Sequence, residues 1–422
     1  MTKTQDYIQS ESQKDPEFAK AIANEKALLN QGLNQEQAKR KLASIQTIAE
    51  IRPIKNADKI VAARVMGWDV VVKKDEFQVG DKVVFFEIDS FLPIEDQYLF
   101  MGEPTSNPIA TITGGRTMGY RVHTMKMRNQ ISQGLVLGLN SFKNESELQT
   151  LEVGYDLTQQ LNVDKYDKPE VEGSLGKMSG GFPTHIVSQT DELRMQSDQT
   201  DANALVGQSF YTSLKYDGTS VTITKEHGKV SISTRNNMLK DGSLVHELLQ
   251  STDTWEKLSA YPDDFAIQGE FYGPGIQSNR IGVSQKRFAV FNYVKNRNRQ
   301  NLLDMISFAT ENHLELVDLK IVTGTDEDLT KIKTAIKAYN KVRQLLKQVD
   351  LEYGKAAMPM PEFKVGTFDW SIDEAVNISS ELKYNQNQKR AEGMVVRTLN
   401  PFPGNEISFK VLNNKYLLKN ND

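Results

Sequence analysis

The sequence predicts an α+β protein of several domains: an N-terminal helical extension, a small OB-type β-barrel, and a C-terminal domain of antiparallel sheets with flanking helices. Three observations lead there. The chain has 422 residues, too many for one comfortable core. Between Ser44 and Phe142, short β-forming runs are separated by Gly, Pro, Asn and Asp. From residue 201 to the end, strand-like and helix-like stretches alternate.

Taken in order, residues 1–42 form the extension. Asp15-Pro16-Glu17 is a good helix start, and the Ala-, Leu-, Lys- and Gln-rich text after it has helical period. Acids and bases interleave there, which suits a solvated helical pair without assigned chemistry. Residues 43–144 hold the barrel, with predicted strands Ile45–Ile51, Ile60–Val65, Trp68–Val72, Lys82–Ile88 and Gly134–Leu137. Residues 145–200 are polar and turn-rich, with Gly173, Gly176, Gly180, Gly181 and Pro183, and predict a connector. The second, larger domain spans 201–422. Within it Asp326–Leu351 predicts a long helix. Its stripe of Leu329, Ile332, Ile336, Tyr339, Val342 and Leu345-Leu346 reads as a packing face.

The totals exclude several chemistries. The absence of cysteine rules out disulfides, thiolate zinc sites and cysteine nucleophiles. No apolar run reaches membrane-spanning length, and Met1–Asp6 lacks a signal-peptide core, so a cytoplasmic location is expected. A net charge of −4 argues against a general basic coat for nucleic acid. Local basic surface is a different matter. No acid occurs between Glu103 and Glu145, while Arg116, Arg121, Lys126, Arg128 and Lys143 are basic and Tyr120 and His123 are interleaved. Such a run suits phosphates and bases, and equally suits an edge strand protected from aggregation.

Chemistry concentrates in the second domain. Lys215-Tyr216-Asp217-Gly218 sits between the β-runs Phe210–Leu214 and Ser220–Thr224, read as strand, tight turn, strand. A lysine held at a strand end can face a cleft and attack phosphorus; the same text also fits a hairpin with an exposed lysine. Four clusters follow it. Arg235, in Ser233-Thr234-Arg235-Asn236, can grip a phosphate or hydroxyl by a forked contact. Glu270, flanked by Gly269 and Gly273, suits a ribose hydroxyl approached closely by backbone. Phe291 alternates with Val290 and Asn292, so it can stack on a purine or fill the core. Finally, Glu392 of Glu392-Gly393-Met394-Val395-Val396-Arg397 offers hard oxygen to Mg²⁺, and Lys410 can neutralise an α-phosphate.

In this order the clusters resemble the serial motifs of covalent nucleotidyltransferases, the superfamily of ATP-dependent RNA and DNA ligases and mRNA capping enzymes. The C-terminal domain is therefore similar to a ligase adenylation domain, over residues 205–419. The barrel precedes the nucleophile, and no further segment follows Lys410-Val411-Leu412 long enough to be another barrel. With Tyr120–Arg128, Ser132-Gln133-Gly134-Leu135 and Thr190–Gln196, this order resembles RNA ligases with an N-terminal OB domain, the Deinococcus and Naegleria type. The resemblance implies ATP, Mg²⁺ or Mn²⁺, and an RNA partner with 3′-OH and 5′-phosphate ends, in a nicked duplex. It implies Lys215 as the adenylylated nucleophile, with Asp217 and Gly218 beside it. Glu270 would contact ribose, Phe291 adenine, Glu392 the metal through water, Lys410 the α-phosphate, and Arg235 the ribose or RNA end. Arg116, Arg121, Lys126 and Arg128 would contact nucleic acid. Two departures stand out: Ser408-Phe409-Lys410 has one lysine where a K-x-K is common, and Asn292 replaces a frequent Asp. Ile51–Ile60 is also reminiscent of tRNA-binding OB domains, so a non-catalytic RNA-binding protein, a GTP-dependent capping enzyme and a DNA ligase are the alternatives.

Overall fold

A computed structural model describes residues 40–107, 115–166, 175–190, 192–349 and 357–418, without side chains at 347–349. The predicted N-terminal helices lie, up to residue 39, outside the described residues.

The barrel is built around the strand Lys82–Phe86, which pairs antiparallel with Ala43–Thr47 on one side and Leu135–Gly138 on the other. Its alternation serves two cores. Val84 and Phe86 pack with Ile45, Leu92 and Tyr98, whereas Val83 and Phe85 pack with Val65, Trp68 and Val70. The run Ile45–Ile51 is not one strand. The chain breaks at Ile48, whose amide and carbonyl are taken by Asp81 and Gly80, and re-enters as Glu50–Pro53 of a meander with Ile60–Val65 and Trp68–Lys73. The basic run ends in a hairpin, Met125–Met127 with Gln130–Ser132. Arg128 and Asn129 both take positive φ at its tip, the pattern of a tight primed turn. Leu148, Leu157 and Val163 belong to the barrel core, so the start of the predicted connector packs back on the barrel.

Two sheets make up the second half. One runs Met178–Gly181, Asn237–Leu239, Lys229–Thr234, Thr219–Glu226, Phe265–Tyr272, Arg287–Lys295 and Asn298–Arg299, with Glu315–Leu316 beside Arg287–Lys295. The other runs Leu193–Arg194, Ser408–Leu412, Gly393–Thr398, Phe210–Lys215, Leu319–Gly324 and Glu362–Val365. Pairing is antiparallel except for three short partners, Leu193–Arg194, Glu315–Leu316 and Glu362–Val365. The expected hairpin after Lys215 is absent. Phe210–Lys215 and Thr219–Glu226 belong to different sheets, and Tyr216-Asp217-Gly218 carries the chain across. The crossing is tight: a Cβ on Gly218 would lie 2.5 Å from the Phe271 carbonyl oxygen, so only glycine fits.

Helix Asp326–Val349 buries Leu329, Ile332, Ile336 and Tyr339 in the main core, and the Tyr339 hydroxyl accepts from the Leu316 amide at 2.9 Å. Its stripe is packing over most of its length, although Leu345 is exposed. Barrel and second domain meet closely. The Gly67 amide donates to Gln196 O at 2.9 Å, Trp68 Nε1 donates to Ser197 Oγ at 3.0 Å, and Leu412 completes a barrel core.

Candidate active site

The strand Phe210–Lys215 is buried along its length up to Lys215, and its last three residues line a cavity. Lys215 pairs in register with Gly393, the residue after Glu392. A side chain at Gly393 would drive its Cβ to 2.2 Å from the Val411 carbonyl oxygen, so glycine is obligatory for the three strands to pack. That register sets Lys215 Nζ 2.7 Å from Glu392 Oε1.

Both sheets line the cavity, about 230 Å³ in volume. From one come Lys215, Ser213, Val395, Arg397 and Lys410; from the other and its edge, Ser220, Arg235, Glu270 and Phe291, with Gly218 of the crossing between them. Residues as far apart as 215 and 410 thus converge as the motif order predicts. Period-two alternation explains the aim of each strand. Val395 and Arg397 face the cavity while Met394 and Val396 enter the core; Lys410 faces it while Phe409 and Val411 do not. Phe291 is half-buried on the cavity wall, and its neighbour Val290 is core. Asn292 lies off the wall, donating to Gln268 Oε1 at 2.7 Å.

Asp217 and Glu392 do not line the cavity. Asp217 accepts from Ser278 Oγ at 3.1 Å, and Glu392 meets the site through its pair with Lys215. Sequence reasoning also missed two charged lining residues, Glu192 and Arg397. Arg397 is 2% exposed, donates to Glu192 Oε1 at 2.8 Å and to Ser213 Oγ at 3.3 Å, and sits 5.4 Å from the Phe291 ring centroid. The alternation Val395/Arg397 was the available signal for the arginine; for Glu192 there was none.

The electrostatics are tense. Burial pushes the Glu270 carboxyl up to about 8; the Lys215 ammonium opposes this, and Glu392 and Asp217 reinforce it. Burial pulls the Lys215 amine down, but Glu392 and Glu270 outweigh it and leave the amine above its ordinary value. Burial would also raise Glu192, but Arg397 and then Lys410 hold it low. The amine is thus stored as an ammonium among carboxylates and is unreactive until they are neutralised.

No group of three or more His, Cys, Asp or Glu residues among the described residues could cage a metal. The Glu392 carboxylate beside the Lys215 amine is hard oxygen of the kind a hydrated divalent cation takes. A larger cavity, about 580 Å³, lies apart and is lined by Leu248, Phe288, His313 and Arg343 among others; it contains none of the motif residues.

The basic run divides in two. Arg121 pairs with Asp89 at 3.2 Å and lies 4.2 Å over the Tyr166 ring. Arg116 donates to Asn162 O at 3.1 Å, and its amide donates to Asp164 at 2.8 Å. Those two bind the barrel itself, which departs from the nucleic-acid contacts expected of them. Lys126 and Arg128 are exposed on the hairpin.

Comparison with known proteins accords with this geometry. Residues 208–412 match the family model "RNA ligase", and residues 42–139 match a model of an OB-fold domain. Among curated proteins, none matches the sequence. Solved structures do. An apo mutant of Naegleria gruberi RNA ligase aligns with TM-score 0.70 and 26% identity, covering 90% of this chain and 98% of that one. A mutant of the same ligase with ATP and Mn aligns with TM-score 0.70 and 26% identity, covering 90% and 99%. The ligase with PPi aligns with TM-score 0.67 and 26% identity, again covering 90% and 99%. The chain thus carries an RNA ligase domain, matched over residues 208–412, preceded by an OB-fold domain matched over residues 42–139.

Proposed function

We propose that the protein is an ATP-dependent ligase that joins RNA 3′-OH and 5′-phosphate ends in RNA repair, through a lysyl-AMP and an adenylylated RNA end. The observation that carries this reading is Lys215 Nζ held 2.7 Å from Glu392 in a cavity that also presents Lys410, Glu270 and Phe291. The Naegleria ligase structures with ATP and Mn and with AMP and Mn support the choice of nucleotide and of a divalent cation.

Lys215 attacks the α-phosphorus of ATP: its N–P bond forms, the bond to pyrophosphate breaks, and the amine loses its proton. Phe291 stacks on adenine, Glu270 accepts from ribose, and Lys410 meets the charge growing on the α-phosphate. Arg235 lies at the cavity edge for the ribose or the RNA end. Glu392 would hold Mg²⁺ or Mn²⁺, which when bound neutralises phosphate charge. Neutralising Glu392 also removes the strongest anionic neighbour of Lys215 and makes its free amine cheaper. AMP then passes from Lys215 to the RNA 5′-phosphate, and attack by the 3′-OH seals the strand and releases AMP. Lys126 and Arg128 contact the RNA backbone, fixing position rather than reading sequence.

The test is radiolabelling with α-labelled ATP or GTP, followed by sealing assays on nicked RNA, RNA on a DNA template, and DNA. Label from ATP and sealing of 3′-OH/5′-phosphate RNA nicks are expected. Label from GTP alone, or sealing of DNA alone, overturns the reading.

A further inference from the structure

Just outside the cavity, one hydroxyl holds the nucleophile and its counter-ion together. Tyr384 is wholly buried, its ring packed edge-on against Tyr216 with centroids 6.1 Å apart, among Leu214, Tyr272, Ile281 and Ala391. Its hydroxyl donates to the backbone carbonyl of Lys215 at 3.2 Å and accepts from the backbone amide of Glu392 at 3.2 Å. Lys215 ends its strand, and Glu392 precedes the strand Gly393–Thr398 that pairs with it. Tyr384 therefore spans the mouth where these strands part. The segment that carries it is closed on itself: the Tyr384 amide donates to Lys389 O at 2.8 Å, the Ala391 amide donates to Leu382 O at 3.0 Å, and Asn385 Nδ2 donates to Asp318 Oδ2 at 2.7 Å. A ring fixed on every side leaves the oxygen little freedom.

We propose that Tyr384 is a positioning residue for lysine adenylylation, its hydroxyl fixing the backbone separation that holds the Lys215 amine, at the cavity, against the Glu392 carboxylate. This rests on the ligase reading above. The phenolic O–H touches neither substrate nor reacting atoms; it acts through the two residues it ties. Removing the oxygen leaves the Glu392 amide without the bond it makes here and lets the strand ends part, while the ring still fills its site.

Tyr384→Phe decides the matter. Self-adenylylation is followed in single turnover against ATP concentration, with the burst amplitude counting competent sites and a melting curve reporting the fold. The expected result is a maximal rate lower by about ten-fold, equivalent to about 1.4 kcal/mol on the barrier. The ATP concentration for half-maximal rate should stay within about two-fold, because the groups that grip the nucleotide are untouched. Full burst amplitude should persist. A wild-type rate per competent site overturns the proposal, as does a loss of rate matched by an equal loss of burst amplitude. Tyr384→Leu, which also removes the ring, separates packing from hydroxyl: it should melt lower than Tyr384→Phe, and equal maximal rates in wild type and Tyr384→Phe would leave the tyrosine a packing residue only. Failure of wild-type protein to take AMP at all would instead sink the ligase reading.

Discussion

The Lys215 cavity and the basic face of the barrel both looked like sites, but they are built on opposite principles. In the cavity, burial outweighs the neighbouring ammonium at Glu270, whose carboxyl sits up to about 8, while Glu392 and Glu270 hold Lys215 as an ammonium. On the barrel, Arg121 joins Arg40 and Arg194 around Asp89, where each cation finds an anion. Burial alone would raise Asp89, but Arg194, Arg40 and Arg121 bring it down to about 2. A buried carboxyl shifted this far in a cavity marks a candidate binding site; arginines gathered on one carboxylate mark a joint. Here the joint links barrel to ligase domain, since Arg194 belongs to the strand that pairs with Ser408–Leu412.

The sharpest way to break this comparison is to empty each region in turn. Lys215→Ala should abolish self-adenylylation, more than about a thousand-fold below wild type, while RNA affinity stays within about two-fold. Adenylylation surviving in that variant would end the account of the cavity. On the barrel, Lys126→Ala with Arg128→Ala should weaken RNA binding and flatten its dependence on log salt by about two, with adenylylation unchanged. Arg121→Ala should act on the other quantity: a melting temperature lower by several degrees, with the salt slope kept. If Arg121→Ala flattens the salt slope and leaves melting alone, the joint is an RNA surface after all.

Smaller effects distinguish the regions by the sign of their pH response. Asp89 has a folded value below its ordinary one, so its contribution is present above about pH 4 and is lost as pH falls through about 2. That contribution is about 2 kcal/mol, and urea unfolding of Asp89→Asn should show the loss at neutral pH and none near pH 2. Glu270 runs the other way. Its folded value is raised to about 8, so its contribution is whole below its ordinary value near 4.5 and disappears as pH rises through about 8. Ligand-free Glu270→Gln should therefore keep between about pH 4.5 and 8 the stability that wild type loses. Parallel pH curves for wild type and Glu270→Gln would contradict the cavity electrostatics.

How legible each region was follows from range. Strand alternation is local, so the aims of Phe291 and Lys410 could be read from their immediate neighbours. The motif order encodes a convergence that no local signal carries, and it brought Lys215, Arg235, Glu270 and Phe291 to one cavity. Pairs formed only through space were invisible. Glu192 with Arg397, and Arg121 with Asp89, join residues from different strands and loops with no sequence mark of the partnership. The turn after Lys215 misled for a related reason: Asp-Gly permits a hairpin, but register with Gly393 on one side and Phe271 on the other pulls the two strands into separate sheets. Asp217 follows that crossing and lands on Ser278 rather than in the cavity.

The central claim is that one side-chain nitrogen carries the nucleotide. Intact-mass spectrometry after incubation with ATP and Mg²⁺, followed by peptide mapping, tests it directly. The account predicts a single added AMP on the peptide containing Lys215, labile to acid as a P–N bond is, and absent from Lys215→Ala. An unmodified mass, or AMP found on any other residue, would contradict it.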